Sequence, residues 1–451
     1  MGSERQNKKL VIIGSGVAAR SALQSIRHQR NYEVAVVRKH PDQVVPCAIP
    51  YTFQRLMPEN IKIPDENWAS INATVIDDIV TEIDRDKQKI YLQNNSGLDY
   101  DKLLITTGTS PVKPPIPGID LENVYFVEKD LKLLSEVHSQ IMNSRKVAIL
   151  GGGFIGVELA DEISNLEHLN SVNLIEAEER LLPKAFDVEF SKEAEKELRG
   201  RVNIHTGVKV EEITGNNGAV SNIVLSDGQQ ITADLVICAI GVTPNNYLAR
   251  EAGLTLGGDG GVRVDDYFYT SDFSIMACGD CTTKRDQVSG GISGVRLAST
   301  AAREGMVAGL NLNGRIIPNN KGVINNFSTK IGNTVLGSAG IQEEEADLNL
   351  YSTITVKDVF PNRHPPKFPD AGETFVKLIF NKVDGVLMGG QVKGDQGVAE
   401  LVNLIGLAVQ HKLTASQLAT SQYATHPLLT PGPSKYPVLR LALDACRSLG
   451  G

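Results

Sequence analysis

The sequence predicts an α/β chain in which two dinucleotide-binding domains, one inserted in the other, precede a C-terminal α+β domain. Three observations carry this. First, a glycine-rich turn twice follows an apolar strand and opens a helix, at Gly14-Ser15-Gly16-Val17-Ala18-Ala19 and at Gly151-Gly152-Gly153-Phe154-Ile155-Gly156. Each is a Rossmann-like fingerprint, whose glycines permit a tight turn and close approach to a pyrophosphate at the helix N-terminus. Second, a strand closing on Cys278-Gly279-Asp280 returns the chain to the first domain, long after the second fingerprint. Third, from about Lys321 the pattern changes to short strands followed by helices, with no nucleotide motif.

Composition narrows the function. A chain of 451 residues suggests about two or three cores. A net charge of −8 argues against a nucleic-acid partner or an anionic membrane surface. No apolar run approaches the roughly 18 residues that span a bilayer. The polar start from Met1 to Lys9 reads as no secretory signal, and five cysteines without framework spacing suit a reducing cytoplasm.

In chain order, Lys9 to Ile13 reads as a buried strand, followed by the first turn, a helix to about His28 and a strand from Glu33 to Val37. An acidic residue should end that strand to take the ribose hydroxyls, but Arg38 stands there. Either the ribose is held differently, or Arg38 and Lys39 meet a phosphate; a solvated basic pair is the plain alternative. Next comes Val44-Val45-Pro46-Cys47-Ala48-Ile49-Pro50-Tyr51, a lone cysteine between two prolines. A helix over Tyr51 to Met57 would set Cys47 at the positive end of its dipole, lowering the thiol pKa and favouring thiolate. Residues 59–100 read as a small antiparallel excursion turning at Asn94 to Gly97. A strand follows from Tyr100 to Thr109, then a proline-rich crossing from Pro111 to Gly118.

The second unit repeats the first. Lys146 to Leu150 is a strand, Val157 to Leu166 a helix, and Ser171 to Ile175 a strand ending in Glu176. Here the acid is present, and a carboxylate repels a 2′-phosphate, which favours NADH over NADPH. A second excursion (Val208 to Ile231) leads to a strand ending at Gly241, and a helix from Ala298 to Asn311 closes the first domain. The expected division is 1–112 with 245–320 for the first domain, 113–244 for the second and 321–451 for the third. In the third, strands up to Val392 precede helices at Gly397 to His411 and Thr414 to Thr420.

With these motifs in place, the chain resembles the FAD-dependent pyridine nucleotide–disulfide oxidoreductases over nearly its whole length. Within them it resembles the single-cysteine branch of coenzyme A-disulfide reductases, sulfur or polysulfide reductases, NADH oxidases and NADH peroxidases. The resemblance implies FAD on the first fingerprint (Gly14, Ser15, Gly16, Val17, Ala18), with Arg38, Lys39, Pro46, Val80, Thr107, Gly108, Gly279, Asp280 and Ala298 around it. It implies NADH, with NADPH possible, at Gly153, Phe154, Ile155, Glu158, Glu176 and Gly241, Glu158 lying near the nicotinamide. The third domain is then a dimerisation domain, and a homodimer with shared active sites is expected. Two-cysteine reductases of the family use C-x4-C; Thr52 occupies the second position here, so the chemistry runs through Cys47 alone. The context Pro46-Cys47-Ala48-Ile49-Pro50-Tyr51 looks like the reductases of sulfur compounds, and no histidine lies between Gly14 and Arg20 as the oxidases and peroxidases tend to have.

Other candidates follow from the same resemblance. His426-Pro427 is similar to the acid–base segment that the partner subunit supplies in two-cysteine reductases, and a histidine suits protonation of a leaving thiolate. The tyrosines that coenzyme A-disulfide reductases carry are replaced at Phe368, while Tyr423 is retained. Arg27 resembles a coenzyme A contact, and Arg20, His28 and Arg30 add cations nearby; with Tyr51 and Tyr423 they make the candidate substrate set, against the alternative of solvated helix-end charges. Cys278 and Cys281 have redox or metal spacing, but they overlap the flavin motif and read as packing. Two cysteines without a second pair cannot complete a zinc site, so no metal is expected. Cys238 and Cys446 read as core, and Glu343-Glu344-Glu345 as a solvated helix start. The expected function is NADH-driven reduction of a coenzyme A disulfide, persulfide or polysulfide. The alternatives are an NADH oxidase or peroxidase working through a cysteine sulfenic acid, an electron-transfer reductase of the rubredoxin type, or a redox sensor.

Overall fold

The structure, a computed structural model, describes residues 7–27, 31–65, 68, 73–319, 321–395 and 397–450. Its first sheet is parallel and five-stranded, in the order Ile275–Ala277, Lys102–Ile105, Lys8–Ile13, Tyr32–Arg38, Ala73–Asp77. Because its outermost strand comes from beyond residue 270, the first domain is completed only after the second has been built. The second sheet has the same pattern, in the order Asn203–His205, Ser171–Ile175, Lys146–Leu150, Leu235–Cys238, Val124–Phe126. The two chain crossings between these domains pair with each other, Thr109–Pro111 antiparallel to Val242–Pro244.

Helix Val17–Ile26 and helix Ala298–Asn311 cover one face of the first sheet. They lie close enough that a Cβ on Gly305 would meet the Ala18 carbonyl oxygen at 2.2 Å, and one on Gly309 the Ala22 oxygen at 2.4 Å. Gly14, at φ +105°, carries the first turn past Thr106, whose carbonyl oxygen would sit 2.5 Å from any Cβ there. Three-stranded antiparallel excursions are formed by Val80–Asp84 with Lys89–Leu92 and Gly97–Asp99, and by Val210–Asn216 with Ala219–Leu225 and Gln230–Thr232; the second runs one residue past the expected segment, and the first is shorter than expected because Ala73–Asp77 joins the parallel sheet.

The third unit is an antiparallel sheet in the order Asn326–Ile331, Thr334–Gly340, Leu387–Gly394, Glu373–Asn381, Thr353–Pro361. Helices Val398–Gln410 and Pro437–Leu449 pack on it through one apolar cluster. Among the described residues, no helix is long and apolar enough to cross a membrane.

Candidate active site

Cys47 sits on a 3-10 helix, Pro46–Phe53, instead of the expected α-helix from Tyr51. Proline at its first position fixes φ, and Ile49 and Phe53 turn inward to join the core of the second domain, leaving Cys47 exposed. Thr52 is fully buried and donates its hydroxyl to the Ile49 carbonyl at 2.7 Å. The position of the missing second cysteine is thus taken by a local hydrogen bond.

The expectation of a lowered Cys47 pKa is corrected. Crowding by protein raises it, Glu158 and Asp280 add to the rise, and Lys129 opposes them. One short 3-10 helix does not outweigh burial together with two carboxylates brought in from elsewhere in the chain. Burial, then Glu158 and Glu162, push Tyr51 up to about 12, so its phenol keeps a proton to donate.

Glu158 and Glu162 come from helix Phe154–Ile163, which packs against the Cys47 segment. Glu158 accepts a hydrogen bond from the Thr329 hydroxyl of the third unit at 2.7 Å. Desolvation nevertheless pushes it up to about 7, with Glu162 and Asp161 adding to the rise. Glu162 is buried and pairs with Arg55 at 2.7 Å, while Asp161 pairs with Arg201 at 2.6 Å.

Around the first fingerprint, the residues fit FAD. A Cβ at Gly16 or Gly108 would meet nothing within 4 Å, so the turn and the strand end opposite it leave room for a ligand. Asp280, 13% exposed, has one buried carboxylate oxygen with no partner, and Lys129 approaches the other at 3.9 Å. A buried ion pair fixes the preceding residue: Glu304 accepts from the Gly279 N–H at 3.0 Å, and Lys284 donates to the Gly279 carbonyl at 2.8 Å. Thr107 and Asn245 are tied by reciprocal bonds of 2.7 and 2.9 Å. Ser15 and Ala18 are buried, and Val17 and Ala298 open their helices. Val80 lies in the core with Val11, Ile13 and Val37, so only its backbone can face a ligand. Lys39 is exposed. Arg38 is a correction: both sides of its guanidinium are taken by Asp65 and Asp77, so it is no free cation awaiting a phosphate.

The second fingerprint is similarly built. Glu176, at the end of its strand, accepts from the Gly152 N–H at 2.6 Å and from the Glu178 N–H at 2.9 Å. Two backbone donors thus hold its carboxylate beside the glycine turn. Gly153 and Gly241 border open space, Ile155 is 39% exposed, and Phe154 packs on Phe186 and Phe327.

The candidate substrate set is not brought together within one chain. Arg20 turns to the first fingerprint, its Nε donating to the Ser15 carbonyl at 3.3 Å and its guanidinium 5.1 Å over Trp68. Arg27 follows the last turn of that helix at the surface; His28 and Arg30 lie outside the described residues. Tyr423 stacks on Tyr436 at 4.5 Å and donates its hydroxyl to Leu418. His426 is exposed on the loop that follows, and its Nδ1 accepts from the Leu428 N–H at 3.3 Å. Cys278 and Cys281 are buried beneath the Gly279 turn, where burial pushes both thiols up, as their packing role requires. Lys129, Arg55, Lys284 and Glu304 were missed: no motif surrounds any of them, and only tertiary structure brings them here.

The family model for pyridine nucleotide-disulphide oxidoreductase matches residues 8–305, and that for its dimerisation domain matches residues 327–435. An NADH oxidase of Enterococcus faecalis is 29% identical over 432 residues, covering 93% of this chain and 95% of that protein. A NAD(P)H coenzyme A polysulfide/persulfide reductase of Pyrococcus horikoshii is 28% identical over 401 residues, covering 87% and 88%. Among solved structures, a NAD-dependent persulfide reductase from A. fulgidus superposes with a TM-score of 0.91 at 30% identity, covering 98% of this chain and 84% of that one.

Proposed function

Because the chain belongs to the pyridine nucleotide–disulphide oxidoreductases, FAD-dependent enzymes that use NADH or NADPH, we propose that it uses NADH to reduce a sulfur–sulfur bond at Cys47. The substrate is a coenzyme A disulfide, a coenzyme A persulfide or a polysulfide. One observation carries the reading: of five cysteines, Cys47 alone is exposed, and buried Thr52 stands where a second redox cysteine would be. Bound FAD supplies the two-electron link between nicotinamide and sulfur.

The Cys47 sulfur attacks the substrate disulfide, forming a mixed disulfide and expelling one thiolate, which takes a proton. Two electrons from NADH then cleave the mixed disulfide, releasing the second thiol and restoring Cys47. The sum is NADH, one proton and a disulfide going to NAD⁺ and two thiols; with a persulfide, hydrogen sulfide replaces one thiol. Tyr51 keeps its phenolic proton and donates it as a hydrogen bond at the sulfur. Glu158 borders the nicotinamide, and the Glu176 carboxylate receives the NADH ribose hydroxyls and disfavours a 2′-phosphate. His426 and Tyr423 complete the site of the partner subunit in a homodimer, His426 as the acid for the leaving thiolate. Five unpaired thiols suit the cytoplasm.

Cys47→Ser tests the mechanism. The variant should lose disulfide and persulfide reduction by about 10³-fold or more, yet still have its flavin bleached by NADH. Retained disulfide reduction would contradict it. A second reading, NADH oxidation by oxygen through a Cys47 sulfenic acid, is favoured by the relatives that carry the name NADH oxidase. It predicts rapid NADH consumption under air with no sulfur acceptor.

A further inference from the structure

In a dinucleotide fold, the acid at the end of the second strand receives the adenosine ribose, close to the glycine turn. Strand Tyr32–Arg38 ends instead in a cation whose side chain is 5% exposed. A buried cation requires partners, and Arg38 has two. Its Nη1 and Nη2 form a fork on the two oxygens of Asp65 at 2.6 and 2.9 Å. Its Nε donates to Asp77 at 2.6 Å.

The two carboxylates are not equivalent. Asp77 lies in the next parallel strand, in register with Arg38, at the edge of the sheet. Asp65 comes from the loop after the Cys47 segment, and its charge is felt by Arg20, which is itself bonded to the Ser15 carbonyl of the first turn. Through Arg20, Asp65 is tied electrostatically to the first turn. Its carboxylate is gripped from within and 59% exposed outward. The fork uses one acceptor position on each oxygen and leaves another on each.

We propose that Asp65, oriented by the Arg38 fork, is the carboxylate that receives the adenosine ribose hydroxyls of FAD. The acid of this site has moved from the strand end to the following loop, and the arginine at the strand end holds it there. Arg38 is then a positioning residue, which explains why a basic residue occupies an acidic position. The inference rests on FAD occupying the first fingerprint and is independent of the sulfur compound reduced at Cys47.

The test reconstitutes the deflavinated protein with FAD and with FAD whose adenosine is 2′-deoxy, following quenching of flavin fluorescence. The natural protein should bind the deoxy compound about tenfold more weakly, the loss of one charge-assisted hydrogen bond. In Asp65→Ala, and in the isosteric Asp65→Asn should the alanine variant not fold, FAD should weaken about tenfold and the ratio fall to about one. Asp77→Asn should keep the natural ratio, and Arg38→Lys, which retains charge but not the fork, should lower it. An unchanged ratio in Asp65→Asn, or no discrimination by the natural protein, overturns the inference. Failure to bind either flavin would overturn the FAD reading itself, so the two failures are distinguishable.

Discussion

Glu158 faces two neighbours with one side chain: its charge is felt by Cys47, and it accepts a bond from Thr329 of the third unit. Its carboxyl is pushed up to about 7 from an ordinary 4.5, chiefly by burial. A group whose folded pKa is raised stabilises most below its unfolded value, and that contribution is lost as pH rises through the folded one. The window is therefore about pH 4.5 to 7, and the loss is on the order of 2–3 kcal/mol, discounted because the side chain is only partly enclosed. Glu158→Gln has no such titration, so its melting temperature relative to the natural protein should rise between pH 5 and pH 8. An equal difference at both pH values would show that Glu158 does not titrate there. Cys47 shows what was legible at this scale and what was not. Its solitude follows from spacing, but the direction of its pKa is set first by burial in the fold and then by Glu158 and Asp280 against Lys129, all far away in sequence.

At the scale of elements, the strand Glu373–Asn381 reads as an ordinary apolar strand interrupted by one lysine. Lys377 is 1% exposed, and it meets Asp187 at 2.8 Å, Glu189 at 3.0 Å and Glu343 at 2.6 Å. Asp187 and Glu189 open helix Val188–Leu198 of the second dinucleotide domain, so the lysine bolts the third sheet to that domain. The acidic run at Glu343, expected to be solvated, is thus partly structural. Sequence spacing did not show this because the three carboxylates converge only in the fold. Lys377→Met should cost about 3–5 kcal/mol, since it leaves the buried Asp187 carboxylate without its cation and facing two others. Urea unfolding checks it, and a loss below about 0.5 kcal/mol would mean the cluster relaxes freely. The strands and glycine turns were legible because period and glycine placement are local properties. The helix at Cys47 was misread because Pro46 and Pro50 favour a tighter 3-10 turn than the apolar spacing of residues 51–57 suggested.

At the scale of the whole molecule, the order of motifs was enough to read one dinucleotide domain inside another. The return strand Ile275–Ala277 pairs with Lys102–Ile105, as the Gly279-Asp280 motif required. The acceptor was less legible, because the candidate substrate residues lie on separate elements, Arg20 beside the first turn and Tyr423 and His426 near the C-terminus, and no motif joins them. Delivery of two electrons from NADH to sulfur on Cys47 is read out by anaerobic NADH titration of protein whose Cys47 has first been converted to a mixed disulfide with coenzyme A. The first equivalent of NADH should release one coenzyme A thiol per chain while the yellow absorbance persists, and only the second should bleach it. Bleaching by the first equivalent, with coenzyme A still bound to Cys47 by mass spectrometry, would contradict it.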